Sequence, residues 1–101
     1  MARLVRLAWT SDEAPSVASV ERRLREEDVA PSAWSNGPHD RYAEHSHPYT
    51  KLLMCAAGSI TFTVEGEAVD LRPGDGFVLP PGTRHAALVG PGGCTCVEGH
   101  R

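Results

Sequence analysis

No run of about 18 consecutive apolar residues occurs in the 101-residue chain, so no membrane span and no membrane partner are expected. Positive charge is also scarce: Lys and Arg number 10 against 13 Asp and Glu, a formal net charge of -3. A general binder of nucleic acid presents a basic face to the phosphates, and this balance argues against one. Cysteine is sparse and odd in number, 3 in all, which does not describe a disulfide framework and fits a reducing, cytoplasmic setting. The opening Met1–Trp9 carries Arg3 and Arg6 but lacks a long apolar segment and a small-residue cleavage site, so it does not read as a signal peptide. Internal repeats and low-complexity segments are missing too.

What is present describes one domain with one core and room for one cavity. Ser11, Asp12 and Pro15 supply helix-start chemistry, and Val17, Val20 and Leu24 recur at helical spacing. The spacing predicts an amphipathic helix over about 15–28, ending before Ala30-Pro31 and covering a flank of the β-rich body. From Trp34 the punctuation is that of short strands: Arg41–His47, Lys51–Ala57, Ser59–Glu65, Ala68–Leu71, Phe77–Leu79, His85–Val89 and Cys94–Glu98. Turns rich in Gly, Pro and Asn separate them, at Ser35–Pro38, Arg72–Asp75, Pro80–Gly82 and Gly90–Gly93. The expected organisation is an N-terminal extension with the helix over 1–33 and an all-β barrel over 34–101, compact as one unit.

Within that barrel, His45-Ser46-His47 is the most informative stretch. Residues two apart on an extended strand point to one face, so both imidazoles can reach toward one point. His85 follows a Pro-Gly turn after enough β-like sequence to bring the chain back. Three neutral imidazoles converging inside a barrel make a good site for a divalent transition metal.

These residues resemble the two motifs of the cupin family, the double-stranded β-helix or jelly-roll barrels. The first motif of that family pairs His-x-His with an acid four residues on and a later Gly; here it reads His45-Ser46-His47, Lys51 and Gly58. The second is Gly, five residues, Pro-x-Gly, two residues and His; here it runs Gly74, Asp75–Leu79, Pro80-Pro81-Gly82, Thr83-Arg84 and His85. The asparagine that often comes four residues later is Val89. The resemblance covers about residues 34–98 and implies a jelly-roll fold with His45, His47 and His85 as metal ligands.

Lys51 departs from the family, which carries a glutamate ligand there. Strand parity puts it on the face of His45 and His47 unless Pro48 introduces a bulge. An ammonium about 4 Å from a dication is repelled by about 8 kcal/mol at an effective dielectric of about 20. Three arrangements relieve this. Lys51 swings away and leaves a three-histidine site; or it stands farther off and holds an anionic group of a ligand; or the metal is absent and the cavity binds a small anion.

Other residues have blander readings. Tyr49 shares the parity of His47 and is a candidate substrate-binding group beside Lys51, or else an aromatic packed at a strand end. Glu44 points away from His45, and Arg84 away from His85. Cys55 shares the histidine parity, and Cys94 and Cys96 share one face; small buried cysteines commonly serve as packing. Trp34 reads as a core or rim aromatic, and His39 and His100 carry no expected role.

A three-histidine face with vacant positions suits Fe(II) and also accepts Zn, Ni, Mn or Cu. Cupins that resemble this site include dioxygenases acting on small thiols or diketones, so the leading expectation is a metal-dependent dioxygenase for a small anionic or chelating substrate. The alternatives are a non-catalytic cupin that binds a metabolite or metal, and an isomerase or lyase using the metal to polarise a carbonyl. The resemblance also implies a homodimer.

Overall fold

In the computed structural model, which describes residues 4–101, the chain runs through β1 (Val5–Leu7), α1 (Val17–Arg25), β2 (Ser32–Asn36) and β3 (Arg41–His45). It continues through β4 (Lys51–Val64), β5 (Glu67–Leu71), β6 (Gly76–Leu79) and β7 (His85–His100). Two long strands, β4 and β7, pair antiparallel along most of their length and pass together from one layer into a second. The first half of β4 pairs with β6, whose other edge carries β1, while the last part of β7 pairs with β2. The second half of β4 pairs with β5, and the first part of β7 pairs with β3. The result is the jelly roll expected, two layers closed around one core.

Sequence punctuation divides each long strand into two, yet both remain continuous, because the glycines bend the chain without ending its pairing. Register shifts fall between Cys55 and Ala57 and between Gly58 and Ile60, where the pair of strands changes layer. Gly58 has φ +70°, and a Cβ there would collide with the Gly93 carbonyl, so only glycine fits this crossing. Gly90–Gly93, read from sequence as a loop, lies within β7 and supplies the matching bend.

Alternation along the strands sorts side chains to two sides. Ile60, Phe62 and Val64 turn inward with Leu53, Leu71, Phe77, Leu79 and Val89 to form the core between the layers. Leu52, Met54, Ala56 and Val97 face the other way and meet Val20 and Leu24 of α1. Both helix residues are fully buried, each contributing about 1.5–3 kcal/mol. The helix therefore covers a flank, as its apolar stripe predicts, though it is shorter than 15–28. Ser16 caps it, its Oγ accepting from Ser19 N at 3.1 Å, while Ser16 N donates to Ser19 Oγ at 2.8 Å. Asp28, at φ 61°, takes the left-handed conformation after the last turn and turns the chain away toward β2. Among the described residues no helix is long and apolar enough to cross a membrane.

Candidate metal centre

The site lies at one mouth of the roll, where β3 ends and β7 begins. His45, the last residue of β3, sits opposite His85, the first of β7, just past a register shift that starts at Tyr42. The strand stops there, short of the expected Arg41–His47. Pro48 has no N–H to donate, so the segment leaves the sheet and His47 projects from the connecting loop. That loop is pinned: Gly82 N donates to the His47 carbonyl at 2.8 Å. The Pro80-Pro81-Gly82 turn thus fastens the two histidine motifs to each other.

The three imidazoles do converge. Ring centroids lie 4.9 Å apart for His45 and His47, 4.3 Å for His45 and His85, and 5.2 Å for His47 and His85. One ligand atom from each falls within 4.8 Å of the others. His45 Nδ1 contacts the Ala43 carbonyl at 2.6 Å, and His85 Nδ1 the Thr83 carbonyl at 2.9 Å. A carbonyl only accepts, so each Nδ1 carries the proton and each Nε2 keeps its lone pair. The Nε2 atoms of His47 and His85 are buried and have no hydrogen-bond partner. Burial, first, holds both imidazoles below their ordinary pKa of 6.5, and the Lys51 ammonium, with His45 whenever it is protonated, adds to this in each; Glu98 opposes the shift at His47, and the Thr83 contact opposes it at His85. These are neutral, unpaired nitrogen donors facing one space. The donor set fits a divalent transition metal.

The adjoining cavity has a volume of about 260 Å³ and is lined by Trp34, Tyr42, His45, His47, Lys51, Phe62, His85 and Glu98. It lies just below the range of roughly 300–1,000 Å³ usual for drug-sized ligands, which suits a small molecule. Lys51 opens β4 and lines this cavity, as parity predicts, but its ammonium is engaged: Nζ stands 3.3 Å from Glu98 Oε1. The same oxygen accepts the Trp34 Nε1–H at 2.5 Å. Lys51 thus stays on the cavity wall, drawn to a partner across the strands rather than swung away from the histidines.

Glu98 is the cavity-lining residue that sequence reasoning missed. The signal was present: Glu98 comes after Cys94 and Cys96 at two-residue spacing, so all three face inward. Tyr49 stands behind His47, as a packed aromatic. Its ring stacks on His47 at 5.0 Å and 20° and meets His100 at 4.4 Å, so it backs that imidazole while other residues form the cavity wall. His100, expected to be idle, completes that stack. Cys55 lies fully buried in the core opposite Cys96. The hydrogen bond with Cys55, together with burial, pushes the Cys96 thiol up, which keeps it protonated and suits packing. Glu44 and Arg84 pair with each other at 2.9 Å on the outside, both exposed.

The cupin domain family model matches residues 27–96. Quercetin 2,3-dioxygenase of Bacillus subtilis (strain 168) is 29% identical over 79 residues, 76% of this chain but 23% of that protein, so the chain spans about a quarter of that relative's length. The fold is similar to an RmlC-like cupin from Shewanella frigidimarina NCIMB 400, with a TM-score of 0.65 and 21% identity, covering 71% of this chain and 64% of that one. It is also similar to the DMSP lyase DddQ from Ruegeria pomeroyi DSS-3, with a TM-score of 0.67 and 26% identity over 72% of this chain and 38% of that one.

Proposed function

The chain belongs to the cupin domain family, and from that premise we propose that it is a small metal-dependent cupin of dioxygenase type. His45, His47 and His85 hold a divalent transition metal, Fe(II) by preference, and the cavity takes a small anionic or chelating substrate. The observation that carries this reading is the pair of buried Nε2 atoms, on His47 and His85, with no partner. Leaving such acceptors bare costs about 1–3 kcal/mol each, and a cation is the partner that would recover this. A bound Fe(II) supplies vacant positions for substrate and dioxygen and the redox capacity to join them.

The chain's own residues do the rest. The Ala43 and Thr83 carbonyls orient two of the imidazoles, and Tyr49 backs the third. Trp34, Tyr42 and Phe62 give the cavity apolar walls. Lys51, the one lysine of the chain, lines the cavity and can add an anionic group of the substrate to its contact with Glu98. The similarity to quercetin 2,3-dioxygenase supports oxygen chemistry, and the likeness to a DMSP lyase supports, as a second reading, a lyase that needs no oxygen.

Elemental analysis of protein purified without added metal, beside His47→Ala, tests the site. Stoichiometric metal in the wild type and its loss in the variant are expected; no metal in either after reconstitution overturns the reading. Oxygen uptake by Fe(II)-loaded protein with a panel of small chelating acids then separates the two chemistries, since turnover without uptake assigns the lyase.

A further inference from the structure

A dication at the three histidines meets an obstacle in Lys51, the chain's single lysine, which lines the same cavity. Its side chain is 12% exposed, so water does little to screen the ammonium. Across the sheet, Lys51 lies opposite His100 and Leu53 opposite Glu98, which sets Lys51 and Glu98 diagonally on one inward face. We propose that Glu98 is the counter-charge that admits a dication to the three-histidine site, by cancelling the repulsion that Lys51 alone would exert. This rests on the metal-binding reading above and adds a residue to it.

Three features place Glu98 in that role. One oxygen of its carboxylate, Oε1, is held by two groups at once, the Lys51 ammonium at 3.3 Å and the Trp34 indole N–H at 2.5 Å. Trp34 packs on the core, so its N–H fixes the carboxylate in a rigid frame. Lys51, Glu98 and Trp34 all line the cavity with the three histidines. The pair also has no sufficient reason in stability. Its side chains are 12% and 24% exposed, and ion pairs so enclosed stabilise no better than apolar residues of similar size. The Arg84–Glu44 pair on the outside, 61% and 56% exposed, faces no such cost. A paired ammonium and carboxylate act at a distance as a dipole, whose field falls off faster than that of a lone charge. The family's carboxylate is absent from position 51, and the carboxylate on the last strand restores the electrostatic balance without itself being a ligand.

The test measures Zn²⁺ affinity, by competition with a chromophoric chelator, in wild type, Glu98→Gln, Lys51→Met and the double variant. Folding of each is checked by thermal unfolding in EDTA. Removing Glu98 exposes the ammonium and should weaken Zn²⁺ binding at least about tenfold, while removing Lys51 leaves the carboxylate and should tighten it about tenfold. The double variant should return to within about threefold of wild type. Wild-type affinity in Glu98→Gln, or weaker binding in Lys51→Met, overturns the proposal while leaving the histidine site intact. If Glu98→Gln fails to fold, Lys51→Met decides by the direction of its change. A wild type that binds no Zn²⁺ removes the histidine site itself, and this role for Glu98 with it.

Discussion

Replacing His47 with phenylalanine should make the metal-free protein more stable and the metal-loaded protein less so. His47 Nε2 is buried with no partner, an arrangement that costs about 1–3 kcal/mol in the apo state. A phenyl ring removes that atom and keeps the stack on Tyr49, now 5.0 Å away at 20°. The adjoining cavity of about 260 Å³ accommodates the larger ring without overpacking. The net gain in EDTA should be about 1–2 kcal/mol, and each kcal/mol raises Tm by about 4–8 °C in a domain of this size. With Zn²⁺ at about a thousand times its Kd, wild type should gain about 4 kcal/mol and the variant little, because one of three ligands is gone. The two proteins should therefore exchange rank between EDTA and Zn²⁺. Urea unfolding of both, with and without metal, reads this directly. A variant less stable than wild type in EDTA, or equal gains from Zn²⁺ in both, would refute the reasoning.

The stack behind His47 makes a second expectation. Tyr49→Ala leaves that ring without its backing and should weaken Zn²⁺ binding by about tenfold, within the usual range for lost outer contacts, while Tyr49→Phe keeps the stack and stays near wild type; chelator competition separates them. The pH dependence is set by the imidazoles. Burial first, and Lys51 and His45 with it, hold His47 and His85 below 6.5 in the folded protein. Between the depressed values and 6.5 the unfolded chain binds more protons than the native one, so stability rises with pH across that window. The apo protein should keep its full stability above about pH 6.5 and lose it as pH falls through the folded values, seen as a falling urea midpoint in EDTA. A midpoint that rises on acidification contradicts the assignment.

Much of this was legible because it depends on spacing within one segment. Ile60, Phe62 and Val64 alternate inward, Val20 and Leu24 mark the covered stripe of the helix, and the histidines of two motifs meet as their spacing implies. Breaks were harder to read than periods. A glycine signals that the chain changes direction, but Gly58 does so with its ladder intact, because Gly93 of the partner strand lies close enough to forbid a side chain. The reach of β3 failed for a related reason: Pro48 ended the pairing two residues early, and His47 arrived from a loop held by Gly82.

The residue left unread shows where single-strand logic stops. Parity sets Glu98 inward with Cys94 and Cys96, yet only register tells which residue of the neighbouring strand it meets. That register is shifted twice along β4, at Cys55/Ala57 and at Gly58/Ile60, so counting back from the His85 end would have misplaced it. Taken alone, Lys51 looks like a charge that bars a cation. With Glu98 diagonal to it and Trp34 holding the carboxylate, the same lysine becomes half of a neutral pair. A departure at one ligand position therefore has no electrostatic meaning until the residue facing it is known, because the metal would respond to the summed field of the cavity.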